Sequence, residues 1–136
     1  MWSFGCIIVE MLTGRPLFQA RNELELLEMI KIRVGLPPKH MIERAKKKSQ
    51  FFDAQGKLLH MINSRVNPNF NERCQSVKLE LSKVGIEDDE QLIDFIERCI
   101  TIDPADRMTP TQALQHPWIT RGWISRTMKR SISASC

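Results

Sequence analysis

The pattern of apolar and polar positions predicts two helices in the first quarter of the chain. Residues Trp2 to Leu12 are apolar nearly all round, which is typical of a buried helix, and Gly14 and Pro16 prevent its continuation. A second helix is predicted from Asn22 to Val34, because Asn22 can cap its first turn and Glu25 can complete a capping box. Its apolar stripe comprises Leu24, Leu27, Ile30 and Val34.

Two further helices are predicted later in the chain. Glu90 to Ile100 has apolar residues at helical spacing, and Asp94 and Arg98 can pair across one turn of its polar face. The run Thr109-Pro110-Thr111-Gln112 then supplies a cap, a proline at the first helical position and a capping-box glutamine. This last helix is expected to end before Pro117.

The middle of the chain is less regular. Asp53 to Gly56 predicts a turn that folds the chain back as a small hairpin or ordered loop. Met61 to Arg73 indicates irregular structure, and Val77 to Val84 fits both a strand and a helix. Strand signals are few, so the predicted fold class is predominantly α.

Composition narrows the class of protein. With 136 residues, 42% hydrophobic and 26% charged, the chain suits one domain or a piece of a larger one, and wholesale disorder is excluded. Because it has no apolar run of membrane-spanning length and no signal-peptide pattern, we expect a soluble, intracellular chain without a membrane partner. The four cysteines lack metal-ligand spacing, and Cys6 and Cys99 suit small core positions.

The net charge of +4 is unevenly distributed. Lys39 to Lys48 holds five bases against one acid, and the cluster Lys46, Lys47 and Lys48 is either a solvated face or a docking surface. Nucleic-acid binding is disfavoured, because few aromatic residues lie among the bases and no known motif occurs. Residues 120–136 are basic and rich in serine, which predicts a disordered tail in which Ser131 and Ser133 are candidate phosphorylation sites.

Two motifs together resemble a known family. Residues 102–119 read IDPADRMTPTQALQHPWI, which resembles the end of a eukaryotic protein kinase domain with its pattern D-P-x-x-R-x-T-x-x-x-A-L-x-H-P-W. Residues 1–8 read MWSFGCII and resemble the buried central helix of the C-terminal lobe of that domain, usually D-x-W-S-x-G-C. The motifs occur in the family's order.

Smaller segments are similar to the dual-specificity tyrosine-regulated (DYRK) kinases of the CMGC group. They are TGRPLF at 13–18, NE at 22–23, GLPP at 35–38, and FFD at 51–53 with Gly56. The resemblance implies a partial C-terminal lobe over residues 1–119 with a CMGC-type insert at about 36–88. It also implies a parent enzyme that transfers the γ-phosphoryl group of ATP, with Mg, to serine or threonine hydroxyls, with dual specificity as an option.

The resemblance assigns structural roles to three residues. Arg107 corresponds to the arginine that pairs, in a whole kinase, with the glutamate ending the activation segment. Trp118 corresponds to an apolar anchor of the last helix, and Trp2 belongs to the central helix. Since that glutamate is absent from this sequence, we expect Arg107 to turn to solvent.

The sequence lacks the motifs that perform phosphoryl transfer. It contains no G-x-G-x-x-G loop, Val-Ala-Ile-Lys strand, His-Arg-Asp loop or Asp-Phe-Gly motif. We therefore assign no catalytic, cofactor-binding or metal-binding residue, and expect this chain alone to be inactive and to bind neither ATP nor Mg. The Trp2 to Leu12 helix should expose an apolar patch, which favours aggregation or a covering partner such as the missing part of the kinase domain.

A second hypothesis is a non-catalytic helical docking module derived from a kinase lobe. Such a module would bind protein substrates or regulators of the parent kinase through Asn22 to Val34 and the insert. Both the cytoplasm and the nucleus suit the sequence as locations, because three consecutive lysines are too short a cluster to decide nuclear import.

Overall fold

The computed structural model describes residues 1–59, 77–86 and 88–121, and within these ranges the chain is helical with one isolated β-bridge. A helical turn at residues 117–121 follows the last of the main helices. The helices in chain order are α1 (Trp2–Thr13), α2 (Glu23–Arg33), α3 (Lys39–Arg44), α4 (Lys48–Phe51), α5 (Val77–Ser82), α6 (Glu90–Cys99) and α7 (Pro110–Gln115).

The ends of the early helices agree with the local signals. Gly14 ends α1 with a φ of 70°, a left-handed conformation that glycine adopts without strain. Asn22 caps α2 by accepting a hydrogen bond from the Glu25 N–H at 2.9 Å. The predicted capping box differs in one contact, because the Glu25 carboxylate accepts from the N–H of Arg21, at 2.8 Å, rather than from that of Asn22.

The ends of the late helices also agree. Asp89 caps α6, where its side chain accepts the Leu92 N–H, and Arg98 bonds Asp94 at 2.9–3.0 Å as the spacing predicts. Thr109 and Gln112 form the predicted capping box of α7.

The segment that fits both strand and helix is helical where it is described. In α5, Val77 and Leu81 lie one turn apart and are 1% and 0% exposed, so they bury one side of the helix. Alternation at Val77, Leu79 and Leu81 would have placed all three on one face of a strand, yet Leu79 is exposed. Packing against α1 and α6 therefore favours the helical period.

A large core, here called the first cluster, is formed by α1, α5, α6 and α7 with their adjoining loops. Gly5 allows α1 and α6 to approach closely, because a Cβ at this position would lie 2.7 Å from the Cys99 Cβ. Cys99 is fully buried and Cys6 is partly buried, in agreement with core roles. The buried members of the first cluster are Val9, Leu17, Val77, Leu81, Leu92, Ile93, Phe95, Ile96, Cys99, Ile100, Met108 and Ala113.

A smaller core, here called the second cluster, lies between α2 and the turn at residues 53–56. It consists of Ile42, Phe52 and Leu58, against which Leu24, Leu27 and Phe51 pack. The predicted turn is present: Phe52 and Leu58 form an antiparallel bridge, and Gly56 has a φ of 78°. The predicted stripe of α2 is therefore divided, since Leu24 and Leu27 pack on the second cluster while Val34 packs on the first.

Two predictions fall on residues outside the described ranges. The irregular segment Met61 to Arg73 is one, and residues 122–136 of the predicted tail, with Ser131 and Ser133, are the other. Residues 120 and 121 belong to a helical turn, in which the Thr120 N–H donates to the His116 carbonyl at 3.0 Å. The structure therefore places these two residues with the folded chain.

Candidate functional site

Arg107 lies in the loop between α6 and α7, where its side chain makes three contacts. Its Nε donates to the Thr101 carbonyl at 2.7 Å and its Nη2 to the Ile102 carbonyl at 2.9 Å. The guanidinium carbon also lies 5.2 Å from the centre of the Trp2 ring, within the range of a cation–π interaction. The expectation that Arg107 turns to solvent is therefore wrong, because carbonyls of its own loop and an aromatic face stabilise the charge.

The loop that holds Arg107 is itself fixed by Asp103. The Asp103 carbonyl accepts the Arg107 N–H at 3.0 Å, and its carboxylate accepts the Ala105 N–H at 2.9 Å. The other carboxylate oxygen lies 3.0 Å from Nε2 of His40, on α3. A contact that sequence reasoning missed thus connects α3 to the loop that holds Arg107.

Aromatic rings connect this loop to the first cluster. Trp2 stacks on Phe18 with ring centres 5.7 Å apart. Phe95, which is 1% exposed, contacts the Trp118 ring at 4.7 Å and the Phe4 ring at 6.2 Å. Trp118 is thus half-buried against the first cluster, where the family resemblance places an anchor.

His116 is a second structural residue that the sequence did not reveal. It is only 6% exposed, and its Nδ1 accepts the Trp118 N–H at 3.2 Å. Nε2 therefore carries the proton and donates it to Asp94 at 2.8 Å, which fixes the neutral tautomer. Burial alone would raise the pKa of Asp94, but hydrogen bonds from His116 and Arg98, together with the positive charge of Arg98, outweigh burial and lower that pKa.

An apolar face of α1 is exposed beside these aromatic rings, as the sequence predicts. The exposed fractions of its residues are 46% for Phe4, 51% for Ile7, 80% for Met11 and 37% for Leu12. Only Gly5 and Val9 of this helix are fully buried. This face is a candidate contact surface for another part of a larger protein.

A second candidate surface is an open groove of about 520 Å³ between α2, α3 and α4. Its lining is mainly apolar and includes Leu26, Met41 and Phe51, with Lys46 and Lys47 also present. Of the lysine cluster, Lys46 is exposed, Lys48 is half-buried, and Lys47 pairs with Glu23 at 2.9 Å. The structure thus places two of the three candidate docking lysines beside an apolar surface.

The described residues provide no constellation for chemistry. Among them, no group of three or more histidine, cysteine or acidic side chains is arranged to hold a metal ion. Burial raises the pKa of the Cys99 thiol to about 11 and also raises that of Cys6, so neither forms a thiolate readily. Over the same residues, the helices are too short or too polar to cross a membrane.

Comparisons with known proteins assign residues 1–119 to one family. The family model described as the protein kinase domain matches residues 1–119. The dual specificity tyrosine-phosphorylation-regulated kinase 4 of Homo sapiens is 39% identical over 129 residues, which cover 95% of this chain and 23% of that protein. The dual specificity tyrosine-phosphorylation-regulated kinase 2 of Drosophila melanogaster is 37% identical over 135 residues, which cover 99% of this chain and 18% of that protein.

The chain thus spans about a fifth of the length of these relatives. The match includes both the α1 segment that carries Trp2 and the loop that carries Arg107, which the structure brings into contact. The chain therefore belongs to the protein kinase domain family, as a partial, mainly helical C-terminal lobe similar to the DYRK kinases of the CMGC group.

Proposed function

We propose that this chain is the late helical part of a DYRK-like serine/threonine kinase, whose complete catalytic domain transfers the γ-phosphoryl group of ATP to protein hydroxyls. The observation that carries the proposal is the contact between Arg107 and Trp2, since the two segments that resemble kinase motifs are about a hundred residues apart and meet in space. ATP and Mg bind to the complete parent, and its protein substrates are met in the cytoplasm or nucleus.

The role of this part is to support the catalytic parts rather than to react. The α1 face of Phe4, Ile7 and Met11 receives the rest of the kinase domain, which buries that apolar surface. Arg107 uses Nε and Nη2 for loop carbonyls, and its Nη1 has no partner among the described residues. The remaining donor suits the carboxylate that the family supplies from the activation segment.

The first experiment measures activity. The purified 136-residue chain, incubated with radiolabelled ATP, Mg and a serine/threonine peptide, should transfer no phosphate above the rate of a protein-free blank. Transfer that follows the chain through a second purification step would contradict the assignment of a non-catalytic part.

The second experiment measures the supporting role. The chain is co-expressed with the preceding part of the kinase domain of the human relative, and recovered activity and co-purification are scored. Ile7→Lys, on the exposed α1 face, should reduce both by at least about tenfold, because a charge is costly in an apolar interface. Leu114→Lys is the matched control, since Leu114 is 72% exposed and belongs to α7. Equal loss from both variants would count against α1 as the contact.

A second candidate function is docking of protein substrates or regulators at the groove between α2, α3 and α4. The groove supports this function because it combines an apolar lining with Lys46 and Lys47. A matching partner segment carries apolar side chains next to carboxylates.

The groove is tested with a fluorescent peptide that contains two leucines flanked by glutamates. Its affinity for the chain should fall about fivefold to tenfold on Lys46→Glu. The control is Lys31→Glu, an exposed lysine of α2 that does not line the groove. Unchanged affinity for Lys46→Glu would remove the groove as the docking site.

A further inference from the structure

A separate pocket of about 250 Å³ lies where the end of α1, the following loop, the end of α2 and α5 meet. It shares no lining residue with the groove, and Arg107 does not line it. Four charged side chains and two buried apolar ones define its character. They are Arg15, Arg33, Glu80, Lys83, Val9 and Leu17.

The charges in this pocket do not balance. Glu80 bonds Arg33 at 2.9 Å and Lys83 at 3.0–3.1 Å, so one carboxylate is shared by two cations. Burial alone would raise the pKa of Glu80, but the hydrogen bonds and charges of Arg33 and Lys83 outweigh it and lower that pKa. Glu80 is therefore ionised at neutral pH and cancels one charge. Arg15 adds a third cation, which leaves the pocket with an excess of two positive charges.

Arg15 is the cation without a described partner. Its main chain is positioned by Thr13, whose hydroxyl accepts the Arg15 N–H at 3.3 Å and donates its one proton to the Val9 carbonyl, the nearer acceptor, at 2.8 Å. No described side chain forms an ion pair with its guanidinium, although the residue is exposed and lines the pocket. The pocket lining thus includes an arginine whose guanidinium has no ion-pair partner among the described residues, beside the Arg33–Glu80–Lys83 cluster.

Buried apolar residues in the pocket lining strengthen the electrostatic attraction of the pocket for anions. Val9 and Leu17 are 1% and 3% exposed, and the Arg33 side chain is 10% exposed, so water screens the inner charges less than it screens surface charges. The volume is several times the roughly 30 Å³ that one water occupies in the liquid, which leaves room for a tetrahedral oxyanion. Arginine forks match the oxygens of phosphate groups in pairs.

We propose that this pocket binds a phosphate monoester dianion. Arg15 supplies the guanidinium that has no described ion-pair partner, and the Arg33–Glu80–Lys83 cluster supplies preorganised positive charge. The same chemistry is carried by free inorganic phosphate and by a phosphorylated serine or threonine of a protein. The site does not depend on the proposed kinase function, since a chain without any activity would still bind the anion.

The test follows backbone amide shifts of the full 136-residue chain by NMR during titration with inorganic phosphate, with sodium chloride adjusted to constant ionic strength. Saturable shifts are expected at Thr13, Arg15 and Lys83. Arg15→Gln should weaken phosphate binding about tenfold, as expected for one charge-assisted hydrogen-bond pair. Shifts that grow linearly without saturation would overturn the proposal.

The matched control is Arg21→Gln, which removes the same charge from an exposed residue of the same loop outside the pocket. Its phosphate affinity should equal that of the original chain, and a loss as large as that of Arg15→Gln would reduce the effect to general charge and refute the site. Glu80→Gln should strengthen binding, because it frees Arg33 and Lys83. If Glu80→Gln does not fold, the comparison of Arg15→Gln with Arg21→Gln still decides whether the pocket binds phosphate.

The source of the anion is decided with a phosphoserine peptide and its unphosphorylated form. A phosphopeptide that binds at least about tenfold more tightly than inorganic phosphate indicates a protein ligand, and equal affinity indicates free phosphate. Both results support the pocket. Equal affinity for the phosphorylated and unphosphorylated peptides, together with no saturable phosphate binding, contradicts it.

Discussion

The two hydrophobic clusters of this chain are built on different principles. The first cluster buries twelve side chains from helices and loops far apart in sequence, and Gly5 allows α1 and α6 into close contact. The second cluster buries three side chains around a turn and a few short helices, with an open groove beside it. The contrast indicates that the first cluster supplies most of the buried apolar contacts of the described residues, whereas the second cluster leaves an apolar surface open beside it.

The largest expected loss of stability comes from a cavity in the first cluster. Phe95→Ala removes a ring that contacts Phe4, His116 and Trp118, and it should lower the free energy of unfolding by about 3–5 kcal/mol. Urea unfolding followed by tryptophan fluorescence measures this loss. Phe95→Leu serves as the control and should lose less, because it leaves a smaller cavity; an equal loss would contradict the cavity argument.

Substitution of Arg107 measures how much its contacts contribute to the stability of the chain. Arg107→Met keeps much of the side-chain volume but removes two hydrogen bonds to carbonyls and the contact with Trp2, so we expect a loss of about 2–3 kcal/mol. The same unfolding measurement applies. Arg98→Met is the control, with a side chain 61% exposed, and should change stability by less than about 1 kcal/mol. Similar losses from the two variants would show that Arg107 is held no more firmly than a surface arginine.

A cavity in the second cluster should cause local unfolding around the turn and leave the first cluster folded. Phe52→Ala should release the amide protons of Asp53 and Leu59, which bond across the turn, and change the stability of the first cluster by less than about 0.5 kcal/mol. Hydrogen exchange read residue by residue measures both effects. Loss of protection throughout α6 would show that the two clusters unfold together.

Acid should weaken the first cluster through Asp94. Its folded pKa lies below the ordinary value of 3.8, so its contribution is present above about pH 4 and is lost as pH falls through the folded pKa. Thermal unfolding from pH 6 to pH 3 should show a smaller drop in Tm for Asp94→Asn than for the original chain. The exposed Asp106→Asn is the control, and an equal reduction there would contradict the role of His116 and Arg98.

Local signals located most of the described helices because their ends depend on neighbouring residues. Asn22, Gly14 and the Thr109 box act within one turn, so the sequence contains all that is needed to predict them. Val77 to Val84 was undecided for the opposite reason. Its apolar residues fit both periods, and only packing against α1 and α6 selects the helix.

The candidate site was predicted less completely than the fold. The family resemblance identified Arg107, Trp2 and Trp118, but it gave the wrong surroundings for Arg107. The carbonyls of Thr101 and Ile102 replace the expected solvent, and no periodicity reports where a loop carbonyl points. The pairs His116–Asp94 and His40–Asp103 were missed because their members lie 22 and 63 residues apart.

Periodicity, capping and motifs are properties of short segments, so they were enough to predict the helical class, the caps at Asn22 and Thr109 and the kinase family. Packing brings Arg107 onto Trp2, buries His116 against Asp94, and places Arg15, Arg33 and Lys83 around one pocket. These contacts join residues that are distant along the chain, and their geometry follows from how the helices pack rather than from any local pattern.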